Sequence, residues 1–191
     1  MSPRKKAAES EAKRTSARDE ADTAAQGLPQ ASVFVSFAVA EQHYGLPVEN
    51  VVHITEMVKI TRLPKAPEIV SGVIDFRGKV IPVIDMRRLL DYPAHPYTLR
   101  TPIVISHLDG RTAGLAVDTV SGVLDLTPQQ IDLPEEIVTE EMLGRIHLLT
   151  GVARLPDDLL LLLNPARLLS PEEEKSLSKA MPRPRRRSKK E

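Results

Sequence analysis

Gly72-Val73-Ile74-Asp75-Phe76-Arg77-Gly78-Lys79-Val80-Ile81-Pro82-Val83-Ile84-Asp85-Met86-Arg87-Arg88-Leu89-Leu90 reads as two apolar strands around a tight Arg-Gly turn, closed by a short helix. The same grammar returns at residues 151–169, a stretch of equal length that starts on Gly-Val and finishes on Arg-Leu-Leu. A second pair of segments also matches. Gly114-Leu115-Ala116-Val117-Asp118-Thr119-Val120 follows Gly45-Leu46-Pro47-Val48-Glu49-Asn50-Val51 position by position. Two segments that repeat in the same order mark two copies of one β unit. The offset is 69 residues for one match and 79 for the other, which places an insertion in the second copy, within the acidic stretch 125–145. Neither copy carries an evident reactive constellation, so the chain reads as a binding module.

Working outward, residues 33–39 and 43–47 are strands. Residues 47–52 suit a short helical turn, with Pro47 at a tolerated first position and Val48, Val51 and Val52 on one face. Residues 53–60 return to strand, and the prolines of 63–67 make a loop. After a polar linker at 91–100, strands at 103–108 and 112–117 flank Asp109-Gly110. That dipeptide is a strong hairpin signal, because a type I′ turn needs positive φ at both central residues. A further hairpin turns at Pro156-Asp157-Asp158. Asn164 and Ser170 each precede a proline as helix N-caps, the second opening a helix over 171–180. Many short strands given twice predict an all-β fold of two tandem five-stranded barrels, with short helices and a C-terminal helix. No long crossover helix exists to build a doubly wound sheet.

Composition narrows the function. The 191 residues allow one or two small domains. Formal net charge is zero, yet residues 33–170 hold 12 basic and 17 acidic side chains, while residues 171–191 hold 8 basic and 4 acidic. An acidic body is a poor nucleic-acid surface, and six aromatics without Trp provide few stacking platforms. The absence of cysteine excludes disulfides, thiolate catalysis and cysteine zinc sites. The five histidines form no i,i+4 pair, the serines lie in no nucleophile elbow, and no phosphate-loop motif occurs. Asp75 and Asp85 read as turn and cap residues rather than an acid–base pair. No enzyme activity, cofactor or metal is expected. No secretory leader is visible, and the longest apolar run, Leu159–Leu163, is far too short to cross a bilayer. A cytoplasmic location is expected.

Over residues 33–178 these segments resemble the CheW family, adaptors of bacterial chemosensory arrays. The hairpin from Gly72 to Arg87 is similar to the family signature Gly-Val-Ile-Asn-Leu-Arg-Gly-x-Val-x-Pro-Val-x-Asp-Leu-Arg. Further matches run from Gly114 to Leu124 and from Thr150 to Ala153, the latter followed by Leu159–Leu163 and Arg167-Leu168-Leu169. The resemblance implies two barrels of Src-homology-3-like type, the second at roughly residues 101–163. Outside it, residues 1–32 carry no sustained apolar stripe and read as a disordered arm, with a weak helix over 7–25 as the alternative, and residues 179–191 read as a disordered basic tail. The resemblance implies no catalysis. Its implied partners are the regulatory domain of the histidine kinase CheA and the cytoplasmic tips of methyl-accepting chemoreceptors, the latter in a groove between the barrels. The implied contact residues are Val51, His53, Ile54, Arg77, Gly78, Ile103, Ala113 and Val123. In the family a glutamate usually stands where His53 does, placed to pair with the arginine matching Arg77. A histidine there substitutes a pH-titratable ring. Glu56 is a candidate replacement, but its odd separation from His53 puts it on the opposite strand face. Without the resemblance, Arg77-Gly78 is a structural turn and Val51, Ile54 and Val123 are core. The alternative function is a nucleic-acid-binding pair of barrels that uses the basic tail.

Overall fold

The computed structural model describes residues 33–133, 146–156 and 158–181. The expected N-terminal arm, the tail beyond residue 181 and residues 134–145 of the expected insertion lie outside them. The elements are β1 (Val33–Val39), β2 (Gln42–Pro47), β3 (Val51–Glu56), β4 (Val70–Phe76), β5 (Lys79–Asp85), α1 (Met86–Leu89), β6 (Pro102–Leu108), β7 (Arg111–Ala116), β8 (Thr119–Asp125), β9 (Ile131–Asp132), β10 (Leu149–Arg154), β11 (Leu159–Leu163) and α2 (Pro171–Ala180).

Local chemistry sets the turns. Asp109 and Gly110 have φ of 31° and 77°, and Arg77 and Gly78 have φ of 53° and 78°. Both hairpins therefore carry the positive φ pair of a type I′ turn. Asp75 accepts the Gly78 N–H at 2.8 Å, and Asp85 caps α1 by accepting the Arg88 N–H at 3.2 Å. Asn164 accepts the Ala166 N–H at 3.0 Å ahead of a short 3-10 turn. Ser170 and Glu173 close a reciprocal capping box on α2.

The strands form a six-stranded sheet in the order β8-β1-β2-β11-β10-β9 and a five-stranded sheet in the order β3-β6-β7-β5-β4. The sheets do not follow the two halves of the chain, which corrects the placement of one barrel at roughly 101–163. β6 and β7 belong with β3, β4 and β5, whereas β1 and β2 belong with β8 to β11. Each copy has lent its first hairpin to the other copy's barrel. The cause is local. Only Val48–Asn50 separates β2 from β3, and only Val117 and Asp118 separate β7 from β8, so each chain passes straight into the other sheet.

The exchange is symmetrical in register. Gly45 pairs with Leu162 in the parallel contact of β2 with β11, and Gly114 pairs with Val83 in that of β7 with β5. Each sheet is curled by one bent segment. β8 pairs with β1 and runs on into β9, which pairs with β10 at the far edge. Likewise the chain leaving β3 reaches Thr61, which bridges Val73 of β4.

The core has three parts. Ile81, Val83, Ile103 and Ile105 fill the second barrel, and Phe34, Ile131, Leu160 and Leu162 fill the first. Between them a larger cluster joins Phe37, Leu46, Ile84, Val104, Leu115, Leu161 and Leu163 from both sheets. β11 is buried on both faces over Leu160–Leu163, which matches its unbroken leucine run, and in β6 Ile103, Val104 and Ile105 are likewise buried in succession. Two expectations change here. Residues 48–50 form a 3-10 turn, but Val51 and Val52 already belong to β3, and that strand ends at Glu56 rather than at 60.

Candidate functional site

The β4–β5 hairpin ends in an exposed tip. Its turn holds Arg77 in the left-handed region, with the backbone pinned by Asp75. The Arg77 guanidinium carbon lies 5.1 Å from the centroid of the Phe76 ring, a cation–π arrangement. The His53 ring sits 5.8 Å from the same ring. Arg77 forms no ion pair among the described residues, and Glu56 does not replace the missing acid. The ring of Phe76 takes that place. On the same barrel Ile54 is 40% exposed and Val80 45% exposed, so that barrel presents aliphatic surface as well as a cation.

The structure divides the expected contact residues into three sets. His53, Ile54, Arg77 and Gly78 are exposed on the second barrel, and Val51 is half-buried against the central core. Val123 is 61% exposed but belongs to β8 in the first barrel. Ile103 and Ala113 are fully buried, one in the second barrel's core and the other in the central core, so neither side chain can touch a partner. Phe76 was missed by sequence reasoning. An aromatic directly before an Arg-Gly turn is the signal that could have found it.

The repeat gives the two barrels unlike faces. Ile54 and Val123 are equivalent positions in the two copies, and so are His53 and Gly122, Phe76 and Leu155, and Arg77 and Pro156. Where the second barrel raises a knob, the first has a cleft of about 330 Å³ bordered by Gly122, Val123, Leu155 and Pro156. At its edge the His43 ring is hydrogen-bonded to Asp158. That bond holds the Asp158 carboxyl below the usual range.

A clasp joins the barrels on another side. Arg87 of α1 bonds both Asp118 oxygens at 2.8 to 3.0 Å and donates to the Pro93 carbonyl at 3.2 Å. Asp118 also accepts the Ala40 N–H at 2.6 Å. Burial pushes the Asp118 carboxyl up, but the bonds from Arg87 and Ala40 outweigh it, and its pKa falls below the ordinary value. Among the described residues, no group of three or more His, Asp or Glu converges to hold a metal ion, and no helix is long and apolar enough to cross a membrane.

A family model for the CheW-like domain matches residues 33–173. The chemotaxis protein CheW of Klebsiella aerogenes is 33% identical over 141 residues, covering 73% of this chain and 82% of that protein. Protein FrzA of Myxococcus xanthus is 32% identical over 129 residues, covering 65% and 79%. Among solved structures, the scaffolding protein TtCheW of Thermoanaerobacter tengcongensis superposes with a TM-score of 0.66 at 29% identity, covering 76% of this chain and 92% of that one.

Proposed function

Because this chain belongs to the CheW-like domain family, we propose that it is a non-enzymatic adaptor coupling chemoreceptor tips to the histidine kinase CheA. The observation that carries this reading is the knob made by exposed His53 and Arg77 on the half-buried ring of Phe76, within the matched region. An adaptor needs at least two faces held at fixed separation. The knob and the cleft under Val123 lie on different barrels that share one apolar core, so they cannot drift apart without breaking it. Partner contacts of this kind rest on a few anchors rimmed by polar groups. Arg77 supplies a directional donor fork, and Ile54 and Val80 supply apolar area. Signalling is then geometric: a shift of the receptor moves the kinase through a rigid body. The work is done in the cytoplasm, at membrane-associated receptor arrays.

The test is co-sedimentation of the full chain with receptor-containing membranes, with and without CheA. The wild type should sediment in both settings. Arg77→Ala should weaken binding at least about fivefold while leaving the thermal midpoint nearly unchanged, since Arg77 has no ion pair among the described residues and loses only an exposed contact with the Phe76 ring. Failure of the wild type to bind either partner overturns the adaptor reading. Unchanged binding by the variant removes Arg77 from the contact.

A further inference from the structure

At the opposite end of the β4–β5 hairpin from Arg77, a cleft of about 540 Å³ is bordered by Arg62, Ser71, Asp85, Arg88, His95 and Tyr97. This volume lies in the range of small-molecule sites, about 300–1,000 Å³. One wall is the linker between α1 and β6. Tyr97 fastens it by donating to Asp85 Oδ2 at 2.6 Å. Since the phenol proton goes to that carboxylate, the Ser71 hydroxyl, 2.6 Å away, is the donor to Tyr97. Asp85 is only 5% exposed, and its charge is answered by Arg88, whose Nε lies 3.6 Å from Oδ2. Arg88 also donates to the Glu68 carbonyl at 2.9 Å. The floor is therefore a closed polar network with its charge already compensated.

The rim differs. The Arg62 side chain has no hydrogen-bond or ion-pair partner among the described residues. His95 stands on the same rim, and the nearby Asp118 carboxylate is already occupied by Arg87. The uncompensated charge of the cleft is thus cationic, in a segment (residues 33–170) where acids outnumber bases by 17 to 12.

We propose that this cleft binds a small ligand bearing an oxyanion, either a phosphate or a carboxylate group. Arg62 is the charge partner, and Arg88 and His95 supply further donors. A guanidinium matches both oxyanions through paired N–H donors. The site is independent of the Arg77 knob. Six strand steps separate them, about 20 Å at roughly 3.3 Å per residue.

The experiment titrates the full chain with inorganic phosphate and, separately, with malonate, against sodium chloride at equal ionic strength. Thermal midpoint and calorimetric heat are read. A saturable rise beyond the chloride control is expected with one of the two anions or both. Phosphate alone assigns a phosphoryl ligand, and a response to malonate assigns a carboxylate-bearing one. Arg62→Glu should raise the half-saturating concentration about tenfold or more and leave the unliganded midpoint in place. Absence of any rise beyond chloride, or an equal rise in Arg62→Ala and Arg62→Glu, overturns the proposal. Receptor and kinase binding by the Arg62 variants should match wild type, so the two readings fail separately.

Discussion

Arg77 shows how one residue can meet a backbone demand and a surface role together. A non-glycine side chain at φ of 53° is uncommon, and here it stands exposed at a hairpin tip. That conformation, with Phe76 beneath, is what holds a long flexible cation in place. Asp118 plays the opposite, inward role. Its folded-state pKa is depressed, so its contribution to stability is fully present above the unfolded-state value of about 4. It is lost as pH falls through the lower folded-state value. Asp118→Asn should therefore lower stability by about 1–2 kcal/mol at neutral pH. It should also flatten the acid limb below about pH 4. Chemical denaturation from pH 2 to 7 checks both, and an acid limb as steep as wild type would show that Asp118 stays unlinked to folding.

Among the elements, β4 depends on a glycine for closure. Gly72 has φ of 149°, and a Cβ there would lie 2.4 Å from the Thr61 carbonyl oxygen. That oxygen accepts the Val73 N–H at 2.8 Å in the bridge that seals the second barrel. Gly72→Ala strains the backbone and opens this bridge together, and should cost at least about 2 kcal/mol. Urea unfolding measures it, and faster hydrogen exchange at Val73 should accompany it. A loss under about 0.5 kcal/mol would mean the barrel closes without the bridge. The element readings taken from sequence were accurate where the cause lies within the hairpin. The Asp109-Gly110 turn, the Asp85 cap and the α2 start each follow from a few adjacent residues. The error at Val51 and Val52 has a longer reach, although Val48–Asn50 does form a helical turn. Three valines suggested one helical face, but pairing of Val51 with Ser106 of β6 draws Val51 and Val52 into a strand.

For the whole molecule, the exchanged hairpins mean that neither half of the chain contains a complete barrel. A piece ending in the 91–100 linker holds β1 and β2 without their neighbours β8 and β11, and the remainder holds β6 and β7 without β3 and β5. Residues 33–95 and 96–181, expressed separately, should each lack a cooperative melt. Mixed, they should form a 1:1 complex with the circular-dichroism spectrum of the intact chain. A cooperative transition in either piece alone would mean that the copies are self-sufficient. The exchange also ties the central core to both barrels, which is the rigidity an adaptor requires.

Most of the strands, the turn chemistry, the duplication and the family are legible in the amino-acid order alone, because alternation, capping and positive-φ turns are written in near neighbours. That order also placed the exposed Arg77 tip. Which strands pair is settled by the folded chain, because β3 and β8 find partners about fifty and about eighty to ninety residues away. That choice buried Ile103 and Ala113 and separated Val123 from the Arg77 knob. It also gave Arg77 an aromatic ring in place of an acid, since His53 and Phe76 meet only when the barrel has closed.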